Sequence, residues 1–227
     1  MRSTFRTKWL ALALACASVL APASQAADLT LLPTVTPLIK GQDFRELATP
    51  MRTSVPEGDI EVIGFFHYDS PWADQVAPFV QTWLDTQAGS HVHFQWAPAV
   101  LSEDWGWGAR VFFALDQIGQ ASGLNSELMD AYGTHQLAYG DTAALVTWLH
   151  DHRADDKGFS AALNDGKTIA RTTWVPTVMG LYEVRTLPTF VINGRYVVEA
   201  SDSVTPLMAL ARTRYIVENL QRLAKTP

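Results

Sequence analysis

The hydrophobic pattern changes period several times along the chain, and each change predicts an element. Ala27 to Gly41 is rich in Pro and Thr and reads as extended. Gln42 to Leu47 is a candidate short strand, and Met51 to Asp59, with Pro56 and Gly58, reads as a loop. Ile60 to Phe66 (IEVIGFF) is a nearly continuous apolar run of strand length, as expected of a strand covered on both faces. From Pro71 to Thr86 the period becomes helical, with Val76, Phe79, Val80, Trp83 and Leu84 on one face. His91 to Trp96 alternates like a strand and runs on to Pro98.

The middle of the chain is helical in character. Trp105 to Gln120, Ser126 to Gln136, Thr142 to His152, Phe159 to Asn164 and Lys167 to Leu181 each read as helices, separated by Gly or by charge. Thr189 to Ile192 and Arg195 to Glu199 then flank Asn193-Gly194, a two-residue connection with the chemistry of a type I′ hairpin turn. Asp202 or Ser203 is placed to cap a last helix ending near Ala224.

The N-terminal pattern carries a different message. Arg2, Arg6 and Lys8 precede an apolar run from Trp9 to Leu20, and Ser24-Gln25-Ala26 is a small-x-small cleavage sequence. This predicts a secretory signal peptide over residues 1–26, cut before Ala27, and a periplasmic destination. The apolar run is too short for a membrane span, and no later segment is long and apolar enough. Cys16, the only cysteine in 227 residues, lies in that leader, and Ala13-Leu14-Ala15 before it does not suit a lipoprotein signal. The exported chain then has no thiol to form a disulfide, exchange one or bind a metal. With 17 Lys and Arg against 23 Asp and Glu, and three of the basic residues in the leader, the exported surface is acidic. That argues against nucleic acid or an anionic membrane as a partner.

Three stretches together carry a resemblance. They are FFHYDSPWA (Phe65 to Ala73), VHFQWAPAVLSEDWGWGARVFFAL (Val92 to Leu115) and VRTLPTFVINGRYVV (Val184 to Val198). The chain resembles the DsbA-like periplasmic thiol:disulfide oxidoreductases over nearly all of its exported length. The resemblance implies an α/β thioredoxin fold, βαβ followed by ββα, with an all-helical insertion. The implied divisions are 27–104 for the first half, 105–166 for the insertion and 167–227 for the second half. It also implies a cis peptide before Pro188 and redox chemistry at residues 70–73. Where the family has Cys-Pro-x-Cys, this chain has Ser70, Pro71, Trp72 and Ala73. The family's buried acid and its basic partner in the next strand fall at Gly64 and Trp96. Both thiols and both proton-handling groups are therefore missing, which points to a natural pseudo-enzyme without redox turnover or cofactor.

Two functional readings of Ser70-Pro71-Trp72-Ala73 follow, beside a structural one. Ser at an N-cap followed by Pro is a favoured helix start, and a scaffold needs no more. A retained substrate groove would bind extended or unfolded polypeptide between Ser70, Trp72, Leu187 and Pro188, as a holdase or adaptor, by pairing with the Leu187 backbone. Alternatively, the Ser-Pro-aromatic sequence resembles that of kappa-class glutathione transferases and 2-hydroxychromene-2-carboxylate isomerases, in which Ser70 would meet a glutathione thiolate. The Gly-x-Asp-Arg stretch of those enzymes is absent; Glu199 to Ser203 stands there.

The remaining candidates have ordinary readings. His91 and His93 share a strand face with no carboxylate close in sequence, and His150-Asp151-His152 ends a helix where the dipole favours a cation, so neither is assigned a metal. His67 precedes Ser70 by three residues, a spacing that would suit a base and nucleophile only if the side chains met. Trp105, Trp107, Phe112 and Phe113 are expected in the core of the helical insertion, and Glu103 and Asp104 suit a helix start.

Overall fold

The computed structural model describes residues 26–35 and 37–224. The proposed leader, with Cys16, lies outside them except for its last residue, Ala26. The chain order is β1 (Arg45–Glu46), β2 (Ile60–Phe66), α1 (Ala73–Thr86), β3 (Val92–Pro98), α2 (Gly106–Gln117), α3 (Ala121–Gly133), α4 (Thr142–Asp151), α5 (Asp156–Leu163), α6 (Gly166–Leu181), β4 (Thr189–Ile192), β5 (Tyr196–Glu199) and α7 (Pro206–Ala224). The strands form one five-stranded sheet ordered β1-β5-β4-β2-β3. β2 and β3 are parallel, and the other neighbours are antiparallel.

Every residue of β2 is buried, because the sheet is covered on both faces. On one face Val62, Phe190, Ile192 and Val198 pack against Val76, Val80 and Trp83 of α1 and against Ala209, Leu210 and Val217 of α7. On the other, Ile63, Phe65, Val191 and Val197 meet Ala109 of α2 and Val175 and Met179 of α6. A third cluster is built largely from α2 to α5, with Leu115, Leu128, Leu145, Leu149 and Phe159 fully buried, and it reaches Phe66 at the end of β2 and Tyr68 beyond it. Trp96 packs against both this cluster and the one under α1 and α7.

Local chemistry accounts for the connections. Asn193 and Gly194 both take positive φ, 49° and 57°, the requirement of a type I′ turn. α2 ends in a Schellman arrangement: Gly119 has φ 72°, Gln120 N–H donates to the Leu115 carbonyl at 2.8 Å and Gly119 N–H to that of Asp116 at 3.0 Å.

Several boundaries differ from the sequence expectation, and three bear on the site or the packing. α3 begins at Ala121, not Ser126, because Gly123 is carried inside a helix whose Ala121 and Asn125 are buried. α7 is capped by Thr205, whose Oγ1 accepts the Met208 N–H at 3.2 Å, and not by Asp202 or Ser203. α1 begins at Ala73, not Pro71, with Trp72 in the capping position and no side-chain cap bond.

Candidate functional site

The site is the turn joining β2 to α1, facing the loop before β4. β2 delivers the chain to the end of the sheet, where Ser70 N–H donates to the His67 carbonyl and Ala73 N–H to the Ser70 carbonyl, both at 3.1 Å. These two bonds make residues 67–73 a tight entry turn. The Ser70 hydroxyl accepts the Trp72 N–H at 3.5 Å, too long for a strong bond, so Ser70 caps α1 only weakly. Pro71 stands before the helix, its carbonyl accepting Gln75 Nε2 at 3.1 Å. Trp72 is 43 % exposed, while Ala73 is buried in the helical cluster.

The Leu187-Pro188 peptide is cis. The loop is tied to the end of β5: Thr186 Oγ1 donates to the Ala200 carbonyl at 2.6 Å and Ala200 N–H to the Pro188 carbonyl at 3.0 Å. Leu187 N–H and C=O enter no hydrogen bond among the described residues. Ser70, Trp72, Ala73, Trp96, Leu187 and Pro188 line one small cavity together with Phe66, His67 and Val76. Its volume, about 10 Å³, is close to that of a single water, so nothing of tripeptide size is enclosed beside Ser70.

Gly64 and Trp96 are direct neighbours across the β2–β3 pair. A Cβ built on Gly64 would lie 2.8 Å from Phe94 Cζ and 2.9 Å from Trp96 Cε3 and Cζ3. The two aromatic rings, which meet edge to face at 4.9 Å, fill the volume that a side chain at 64 would need. The two positions are thus one packing unit, and neither carries a proton-transferring group.

His67 does not serve Ser70. Its Nε2 bonds the Tyr139 hydroxyl at 2.9 Å, and its ring stacks on Trp105 at 4.0 Å. Burial lowers its pKa to about 4, so the imidazole is neutral at pH 7. The Tyr139 hydroxyl also accepts the Gly108 N–H at 2.9 Å, and burial raises its pKa to about 12. This cluster ties β2's exit to the start of α2, and a spacing of 72 residues hid it from the sequence.

The other histidines have local partners. His91 Nδ1 and His93 Nε2 bond the two oxygens of Asp59 at 2.8 and 2.6 Å, so a carboxylate does lie beside the pair. His152 Nδ1 bonds the Trp148 carbonyl at 2.7 Å, and its ring stacks on Trp148. No group of three or more His, Cys, Asp or Glu among the described residues is arranged to hold a metal ion. No helix among them is long and apolar enough to cross a membrane.

No family model matches the chain. Among curated proteins, the thiol:disulfide interchange protein DsbA of Burkholderia cepacia is 26% identical over 187 residues, covering 82% of this chain and 83% of that protein. Its counterpart in Pseudomonas aeruginosa is 24% identical over 212 residues, covering 93% and 95%. Among solved structures, the oxidoreductase DsbA from Xylella fastidiosa superposes with a TM-score of 0.69 at 26% identity, covering 84% of this chain and 99% of that one. That of Pseudomonas aeruginosa DsbA gives 0.71 at 22% identity, covering 83% and 97%. In sequence and in fold, the chain is similar to these DsbA proteins over most of its length. Its fold is the thioredoxin fold with a helical insertion, and within that fold Ser70 to Ala73 stand where the resemblance expects Cys-Pro-x-Cys.

Proposed function

We propose that this DsbA-like protein is exported to the periplasm, has no thiol–disulfide activity, and binds extended or unfolded polypeptide at the turn–loop site as a holdase or adaptor. The observation that carries the reading is the unpaired Leu187 backbone beside Ser70 and Trp72. An extended chain running past the loop would take up its N–H and C=O, a strand-like pairing that reads backbone and tolerates varied side chains. Trp72 supplies an exposed apolar face next to it. The reading needs no cofactor. It is also consistent with the chemistry left at the site: Ser70 and Ala73 cannot form a disulfide, and Gly64 and Trp96 cannot relay a proton.

The glutathione alternative rests on the Ser70 hydroxyl, whose one hydrogen bond is weak. Against it, the enclosed volume there is about 10 Å³.

Trp72→Ala tests the polypeptide reading. Its indole is half exposed, so the variant folds, and affinity for an unfolded cysteine-free peptide falls about tenfold, equivalent to roughly 1.4 kcal/mol. Unchanged affinity in the folded variant would sink the site. In parallel, the pure exported protein shows no turnover in oxidising a reduced dithiol peptide; measurable turnover overturns the loss of redox chemistry.

A further inference from the structure

A second feature lies on the far edge of the sheet. β3 pairs only with β2, so its other side is a free edge. Ile60 N–H bonds the His91 carbonyl and Ala99 N–H the Phe66 carbonyl, which fixes the phase of the parallel ladder. The odd-numbered residues of β3 bond β2. The N–H and C=O groups of Phe94 and Trp96 point outward and enter no hydrogen bond among the described residues.

That edge is not bare to bulk water on all sides. It forms the floor of a cleft of about 850 Å³, with one wall from α1 and α3 and the other from α2 and α6. The α6 wall is apolar although exposed: Trp174 is 63% and Val178 38% accessible, one turn apart on the same face. An unpaired strand edge between apolar walls is shaped for one more strand, which would lie about 4.8 Å from β3.

The rim has a sign. Asp116 lines the cleft and is paired with Arg171 at 2.6 Å. Asp85, beside the lining residue Gln81, and Asp130, one turn beyond the lining residue Ser126, have no cation partner among the described residues. The local balance is negative, as it is for the chain.

We propose that the β3 edge is a second docking site, taken by an extended segment of a partner polypeptide with basic residues alternating with apolar ones. The apolar residues pack on Trp174 and Val178, the backbone pairs with Phe94 and Trp96, and the basic residues reach Asp85 and Asp130. Trp96 lines both this cleft and the cavity beside Ser70, so a chain docked here ends against the wall of the first site.

The test is amide hydrogen exchange on isotope-labelled exported protein with an end-blocked peptide, about ten residues long, alternating Val and Lys. The Phe94 and Trp96 amides, fast in the free protein, exchange at least about tenfold more slowly with the peptide bound, while His93 and Gln95 are slow throughout. A Val–Glu peptide gives no protection. The surface variant Trp174→Asp/Val178→Asp keeps the fold and loses the effect. Unchanged Phe94 and Trp96 exchange at millimolar Val–Lys peptide overturns the proposal. So does slow exchange in the peptide-free protein that speeds up on dilution, which would assign the edge to a second copy of the chain.

Discussion

Adding a single methyl group at residue 64 tests whether Trp96 has closed the volume beside it. In Gly64→Ala the new Cβ falls 2.8 Å from Phe94 Cζ and 2.9 Å from two carbons of Trp96, well inside van der Waals contact. The rings pack against the hydrophobic clusters and can yield only towards the cleft they line, so something must shift. Overpacking of this kind costs about 1–3 kcal/mol. Restricting the unfolded chain by replacing Gly returns about 0.4–1 kcal/mol. The net expectation is a loss of about 1–2 kcal/mol, or a fall in Tm of roughly 2–8 °C for a domain of this size. Urea denaturation of four proteins measures it: the parent, Gly64→Ala, Trp96→Leu and the double variant. Trp96→Leu removes two of the three crowding atoms, so the methyl group then costs under about 1 kcal/mol and the two sites couple by about 1 kcal/mol. Additive costs, or a Gly64→Ala protein as stable as the parent, would refute the reasoning.

Further predictions follow from other parts of the site and the sheet. The folded-state pKa of His67, about 4, lies below its ordinary value of 6.5, so protonation favours the unfolded chain. Its stabilising contribution is complete above pH 6.5 and is lost as pH falls towards 4, an effect of a few kcal/mol; urea midpoints of His67→Gln measured across that window fall less steeply than the parent's. Gly194→Ala puts a side chain on a residue with φ 57° and drives its Cβ against the Met51 carbonyl, so it destabilises by at least about 1–2 kcal/mol in thermal denaturation. Thr205→Ala removes the α7 cap and costs about 1 kcal/mol by the same measurement, whereas Ser203→Ala is near neutral.

Much of the fold was legible because its signals are local. The apolar run at Ile60–Phe66, the helical period of residues 71–86 and Asn193-Gly194 between two β-rich runs each specify an element from adjacent residues. Helix ends were less legible. Gly123 reads as a breaker, yet Asn125 accepts a hydrogen bond from Tyr68 Oη at 2.6 Å, and tertiary packing outweighs about 1 kcal/mol of helix propensity. Ser70-Pro71 has an ideal cap sequence, but the turn closes through the Ser70 carbonyl and leaves the hydroxyl nearly idle. At the site, the positions of Ser70, Trp72, Leu187 and Pro188 on one cavity followed from the resemblance. What no pattern announced were contacts between distant residues: the Gly64–Trp96 packing, the His67–Tyr139 bond and the Asp59 carboxylate shared by His91 and His93. The free edge of β3 was equally hidden, since it depends on which strand finishes the sheet.

The central claim is that the turn–loop site binds polypeptide backbone. Amide NMR of the labelled protein lacking residues 1–26, titrated separately with an unfolded cysteine-free polypeptide and with reduced glutathione, tests it most directly. The account predicts shifts at Ser70, Trp72 and Leu187 that saturate with the polypeptide and are absent at millimolar glutathione. Saturating shifts at those residues with glutathione, and none with the polypeptide, would contradict it.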